Sequence, residues 1–269
     1  MIGQKLMRPR KGLGQNFLRS PSVVRRIVES LELSPQDQLL EIGCGTGALT
    51  REVLGKTHLF IGVEIDPALC EQLQQEFRGE SFFFLNRDFL KLDCRELPGI
   101  SVGGSGLKVV GNLPYYVTSP ILEKLCRWSA FLDRAVLMMQ AEVAERLCAS
   151  PGGKEYGVLT VLTGCYFHLE ELMTVPPSAF FPRPKVTSKV VRLMPRTRRL
   201  LEAGEEQRFG QLVKRSFSQR RKTLANCLKG LPGFKPEQLQ PWLQTRGFPV
   251  DVRAERLSLQ DFLDLAITF

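Results

Sequence analysis

EIGCGTGALT, residues 41–50, follows directly on Leu39 and Leu40 and joins an apolar run to three alternating glycines. Leu39, Leu40 and Ile42 have the composition of a strand, and the glycines suit a tight turn into a helix. Gly43, Gly45 and Gly47 let backbone approach a ligand where any Cβ would collide. A phosphate cradle needs a following Lys with Ser or Thr, and a dinucleotide turn needs the spacing G-x-G-x-x-G. This chain offers G-x-G-x-G followed by Ala48. The pattern points to a nucleoside-methionine ligand and away from a pyrophosphate. Ordinary strand-to-helix turns also use glycine, so the ends of the neighbouring runs must carry the rest of the reading.

Leu59 to Ile65 (LFIGVEI) is a continuous apolar run of strand length with Glu64 near its end, seventeen positions after Gly47. A carboxylate there can accept both hydroxyls of a ribose. A third run, Phe82 to Leu85, is followed by Asp88, whose carboxylate suits the exocyclic amine of a cofactor adenine. A fourth, Lys108 to Gly111, leads into NLPY at 112–115. An adenine amine is a poor nucleophile because its lone pair is delocalised into the ring. The Asn112 side-chain oxygen and the Leu113 carbonyl can each accept one of its N–H groups, drawing that nitrogen toward tetrahedral geometry. Pro114 holds the local backbone and removes a competing donor, and Tyr115 can stack on an extruded base. Together these residues read as S-adenosylmethionine bound beside a target adenine.

The composition narrows the alternatives. At 269 residues and 43% hydrophobic content, the chain can bury one substantial core and a smaller satellite. Its seven cysteines (44, 70, 94, 126, 148, 165 and 227) are scattered without a C-x-x-C pair, which argues against a disulfide framework or a zinc site and for a reducing cytoplasm. His58 and His168 are the only histidines, so a histidine metal centre or a Ser-His triad is not expected. No signal peptide or membrane-length apolar run is evident. The net charge of +9 is concentrated: residues 1–30 hold seven Lys/Arg against one acid, and residues 196–230 hold ten against three. Such concentration is the footprint of a polyanionic partner.

Along the chain, Ser20 and Pro21 read as an N-cap and first turn, followed by Val23, Val24, Ile27, Val28 and Leu31 at helical spacing. From Gln38 to about Gln140, short strands alternate with helices such as 67–77 and 119–128, which predicts an α/β fold with a parallel sheet covered on both faces. Strands near 166–175 and 186–194 would add an antiparallel edge hairpin. The composition changes at Arg196, and helices are expected near 205–217, 221–229, 236–245 and 259–267. The expected division is 1–195 for a cofactor-binding domain with its basic arm, and 196–269 for a smaller, all-helical domain whose basic stretch suits a polyanion.

Several segments together resemble the ribosomal RNA adenine dimethyltransferases, in particular the bacterial group that modifies two adjacent adenosines near the 3′ end of 16S RNA. They are KGLGQNFL (11–18), EIGCGTGALT, VEID (63–66), NLPYYVTSPIL (112–122), PPSAFFPRPKVTSKVVRL (176–193), FSQRRKTLANCL (217–228) and RAERLSLQDF (253–262). The resemblance implies a Rossmann-like methyltransferase sheet and an enzyme that dimethylates the N6 amines of a hairpin loop in the immature 30S subunit. It implies that the polyanion bound by 196–269 is RNA, and a cytoplasmic monomer that requires no metal and no membrane. Asn16, the Leu18 backbone, Gly43, Glu64, Asp88 and Asn112 would hold the cofactor. Asn112 and Leu113 would orient the target amine, and Tyr115 and Phe180 would sandwich its ring. Phe180 matches better than Phe181 because the family's aromatic stands two positions before the first proline of its P-x-P segment, here Pro182. The chain departs from the family at Cys44 and Thr46, where proline and leucine are frequent, and at Arg87, where glycine is. Relatives that methylate large-subunit RNA share NLPY-like and F-x-P-x-P-K-V segments, but FSQRRKTLANCL and RAERLSLQDF match the small-subunit group better.

Overall fold

The computed structural model describes residues 10, 14–79, 81–100, 106–202 and 204–269. Most of the expected basic arm, including Lys5, Arg8 and Lys11, lies outside the described residues. The chain forms two compact units, Met1–Ala144 with Leu169–Pro195, and Glu145–His168 with Arg196–Phe269.

The first unit opens with β1 (Phe17–Leu18), α1 (Pro21–Glu29), β2 (Gln38–Ile42), α2 (Ala48–Val53), β3 (Leu59–Glu64), α3 (Pro67–Glu76) and β4 (Phe82–Asn86). It continues through β5 (Leu107–Asn112), α4 (Thr118–Trp128) and β6 (Leu132–Gln140). After α5 (Ala141–Leu147) and α6 (Val158–Gly164), the chain supplies β7 (Phe167–Val175), β8 (Phe180–Phe181) and β9 (Ser188–Pro195). Seven strands form one sheet in the order β4-β3-β2-β5-β6-β9-β7. The pairs from β4 to β6 are parallel, and β6 with β9 is antiparallel. β2 and β3 are buried at every residue, as strands covered on both faces require. This is why they read as unbroken apolar runs.

The connections from β2 go to β3 on one side, and the chain then returns to place β5 on the other. That reversal is a topological switch point, and in open parallel sheets the crevice beyond the strand ends at such a point is where ligands bind. The two strands on either side of the reversal approach very closely: a Cβ on Gly111 would lie 2.8 Å from the Ile42 carbonyl oxygen. At the other end of the sheet, buried Lys108 reaches an ion pair with Asp37 at 2.8 Å and donates to the Glu32 carbonyl at 2.6 Å. A lysine is thereby accommodated in an otherwise apolar strand.

α1 begins where expected, but the Ser20 side chain does not cap it; its hydroxyl lies 3.0 Å from that of Ser22. Asp66 does cap α3, accepting from the Ala68 N–H at 3.1 Å. β1 and β8 form a separate two-stranded ribbon in which Phe17 opposes Phe181 and Leu18 opposes Phe180.

The second unit corrects the expected boundary. Residues 145–168 belong with 196–269, so the helical unit is not only a C-terminal tail. The reason is apolar packing: Tyr156, Val161 and Cys165 share one core cluster with Phe209, Leu212 and Phe262. Its later helices are α7 (Glu205–Ser216), α8 (Leu224–Leu228), α9 (Pro236–Thr245) and α10 (Leu259–Thr268). α8 is shorter than expected, because Thr223 caps it through the Asn226 N–H. Exposed Arg220, Arg221 and Lys222 are therefore left in the preceding turn. Among the described residues, no helix is long and apolar enough to cross a membrane.

The close approach of β2 and β5 yields a test. Gly111→Ala is expected to lower stability by roughly 1–3 kcal/mol through overpacking, measured as a reduced urea midpoint with an unchanged slope.

Candidate active site

A cleft opens beyond the ends of β2, β3 and β5. It is lined by the segment Gly14–Leu18, the glycine loop, Glu64, Ile65 and the run Asn112–Tyr116. Of the residues expected from the sequence, Asn16, Leu18, Gly43, Glu64, Asn112, Leu113 and Tyr115 meet there.

The glycine loop is built on left-handed backbone, with φ of +73° at Gly43, +55° at Gly45 and +77° at Gly47. At Gly45 a side chain is excluded twice over, because a Cβ would also stand 3.1 Å from the Phe17 ring. The three glycine amides are held within the protein: the Gly43 N–H donates to the Val63 carbonyl at 2.8 Å and the Gly47 N–H to the Cys44 carbonyl at 2.9 Å. The Gly45 N–H donates to Glu64 Oε2 at 2.8 Å, and the Asp66 N–H donates to Oε1 at 2.9 Å. Each Glu64 oxygen thus has one fixed backbone donor and retains acceptor capacity for a hydroxyl. Burial raises the pKa of Glu64, while these two amides partly offset the rise.

Asn112 ends β5 with its amide anchored: Nδ2 donates to the Asn16 carbonyl at 2.8 Å. Among the described residues, that leaves Oδ1 without a donor of its own. The Leu113 N–H is taken by the Met138 carbonyl at 2.9 Å, which holds the peptide while the Leu113 side chain is buried. The Tyr115 hydroxyl lies 3.0 Å from Ser188 Oγ, so one edge of the ring is fixed.

Two expected residues are not among those lining the cleft. Asp88 accepts from the Leu90 N–H at 3.0 Å, capping a short turn after β4. Phe180 is only 5% exposed and packs in the core with Leu18, Met138 and Val190. Phe17, Gln15, Glu41 and Ile65 line the cleft without having been assigned a role from the sequence. Phe17 lay within the quoted motif KGLGQNFL, and Glu41 stood at the head of the glycine string; only the folded chain brings them together. The departures from the family are absorbed locally. Cys44 is buried, and Gly62 makes room for it, since a Cβ there would fall 2.7 Å from its sulfur. Arg87 is exposed.

Glu41 is buried beneath the loop, and burial pushes its pKa up to about 8. The Thr50 hydroxyl, donating at 2.6 Å, draws it partly back down. Glu41 and Glu64 together set two carboxyl groups at the cleft, and Glu64 is the one with acceptor capacity for ribose hydroxyls.

Comparison with known proteins identifies the family. A family model described as ribosomal RNA adenine dimethylase matches residues 7–269. The chain belongs to that family. Its members are S-adenosylmethionine-dependent methyltransferases, and the cofactor here is S-adenosylmethionine. The chain is 39% identical to ribosomal RNA small subunit methyltransferase A of Moorella thermoacetica, over 100% of this chain and 95% of that one. It is 41% identical to the protein of the same name from Geobacter metallireducens, over 97% and 95%. Among solved structures it resembles a dimethyladenosine transferase from Plasmodium falciparum, with a TM-score of 0.76, 26% identity and coverage of 93% and 95%. It also resembles the 23S rRNA methyltransferase ErmE, with a TM-score of 0.72, 28% identity and coverage of 94% and 99%.

The buried Glu41 makes a pH prediction. An acid whose folded pKa lies above its unfolded value of 4.5 contributes stability that is fully present at lower pH. That contribution is lost as pH rises from about 4.5 to about 8. Glu41→Gln has no such proton to lose, so wild type should weaken by on the order of a few kcal/mol relative to the variant across that window. Urea unfolding at a series of pH values checks this, and parallel curves for the two proteins would refute it.

Proposed function

We propose that this chain transfers methyl groups to the exocyclic N6 amines of two adjacent adenosines in a hairpin loop near the 3′ end of 16S ribosomal RNA, producing dimethyladenosines in the immature 30S subunit. The carrying observation is the anchored amide of Asn112, which leaves its oxygen as an acceptor at the cleft beside the Leu113 peptide. The relatives named for small-subunit methylation are about 40% identical over nearly the whole chain. This favours the small subunit over the large one.

When bound, S-adenosylmethionine supplies a methyl group already activated on a sulfonium, so no strong general base is required. Asn16, the Leu18 backbone and Gly43 frame the cofactor, and Glu64 accepts its ribose hydroxyls. Asp88 accepts from its adenine amine with the carboxylate oxygen not used in capping. Asn112, besides framing the cofactor, acts with Leu113 on the target. Their two oxygens accept the N–H groups of the substrate amine, localising its lone pair and aiming it. Tyr115 stacks on the flipped base, with its hydroxyl held by Ser188. Phe180 would cover the other face by leaving its core cluster. In this reading the enzyme works as a monomer. The free cysteines suit the cytoplasm, and the chemistry needs no metal.

Asn112→Ala should cut single-turnover methyl transfer by about 10²–10³-fold, the scale of removing one preorganised polar group from the reacting centre, while RNA affinity is retained. Equal loss of both would remove Asn112 from the chemistry. Reversing charge at Arg220, Arg221 and Lys222 should weaken binding to unmethylated small-subunit particles and flatten its salt dependence by roughly 0.7–0.9 log units for each phosphate no longer neutralised. An unchanged salt slope would place that turn away from the RNA.

A further inference from the structure

The β1–β8 ribbon carries two unlike faces. Residues directly opposite each other in an antiparallel pair project to the same side, and neighbours along a strand alternate. Leu18 and Phe180 share the side that packs into the core. Phe17 and Phe181 share the other, and Phe17 meets the glycine loop at the cleft. On that side Phe181 is 43% exposed, and the Arg19 guanidinium sits 4.3 Å from its ring centroid. Exposed Arg183 and Lys185 follow at alternate positions, with Pro184 buried between them. Among the described residues, Arg19, Arg183 and Lys185 make no ion pair with an acid, so their charge is available to a ligand.

We propose that Phe181 and Arg19 form a second base-stacking subsite at the lip of the cleft, which takes the nucleobase adjoining the target adenosine. The inference rests on the reading of the cleft as the site of adenine methylation. Turning a target base out of its stack leaves its neighbour with one uncovered face. An aromatic ring backed by a guanidinium is a platform for such a base, because any base offers a π face to both. Arg183 and Lys185 are placed to take the phosphates that accompany it. An acidic peptide would engage the cations and leave the ring idle, whereas single-stranded RNA uses both. A substrate with two adjacent adenosines supplies a purine for this subsite whichever of the pair occupies the cleft. The subsite therefore holds the second target while the first reacts.

The test is single-turnover methyl transfer by the full chain on unmethylated small-subunit particles, with methyl positions mapped by mass. Phe181→Ala should slow transfer about ten-fold, the scale of one base–aromatic stack, with cofactor affinity by calorimetry unchanged. Phe181→Leu should be equally slow because it restores apolar bulk without a π face, and Phe181→Trp should recover the wild-type rate. Arg183→Gln combined with Lys185→Gln should lower the salt slope by roughly 0.7 for each phosphate left without its cation. A wild-type rate in Phe181→Ala or Phe181→Leu overturns the stacking subsite alone. Failure of the wild-type chain to label any adenosine overturns the reading of the cleft on which it rests.

Discussion

The closeness of β2 and β5 is the constraint from which the site follows. Gly111 lies so near the Ile42 carbonyl that no side chain fits between them, and the two strands stay parallel and in register from Gln38 with Leu107 to Ile42 with Gly111. The residues immediately beyond this contact are Gly43 on one strand and Asn112 on the other. The loop that cradles a cofactor and the amide that meets a substrate are therefore held by the same interstrand contact. β3 is tied to the arrangement by the Gly43 N–H, which donates to the Val63 carbonyl at 2.8 Å. This brings Glu64 to the same end of the sheet.

Three polar side chains in the cleft are anchored to the protein and keep capacity for a ligand. Glu64 uses backbone amides on both oxygens, Asn112 spends its N–H on the Asn16 carbonyl, and Tyr115 directs its hydroxyl to Ser188. Backbone and buried anchors of this kind cost no reorganisation when substrate arrives, which is how preorganised polar groups favour a reaction. The segment Gly14–Leu18 contributes as much as the sheet does. It supplies the carbonyl that orients Asn112, the ring that contacts Gly45 and the strand that pairs with β8.

The helical unit is built on separate principles. Its core is assembled from two distant stretches, 145–168 and 196–269, around Tyr156, Phe209 and Phe262. Tyr156 packs edge-on to Phe217, with ring centroids 6.1 Å apart. The burial that secures it also pushes its phenol above the usual range. Around that core the charged residues are turned outward. The Arg220 guanidinium donates to the Lys154 carbonyl, so one cation of the basic turn is braced by the stretch that the sequence assigned elsewhere.

Local pattern determined the sheet, the glycine turn and the positions of Glu64 and Asn112, because buried parallel strands must be apolar throughout and a ligand-contacting turn must lack Cβ atoms. Motif resemblance went further and identified the family. The tertiary structure alone decided what depends on contacts between distant residues. Residues 145–168 join the second unit because their apolar side chains find partners more than forty positions away. Asp88 is engaged in a cap, and Phe180 faces the core while Phe181 faces outward. That last distinction turns on the pairing of two residues of β1 with two of β8: a shift of one position would exchange the two faces, and adjacent phenylalanines carry no local signal to set that register.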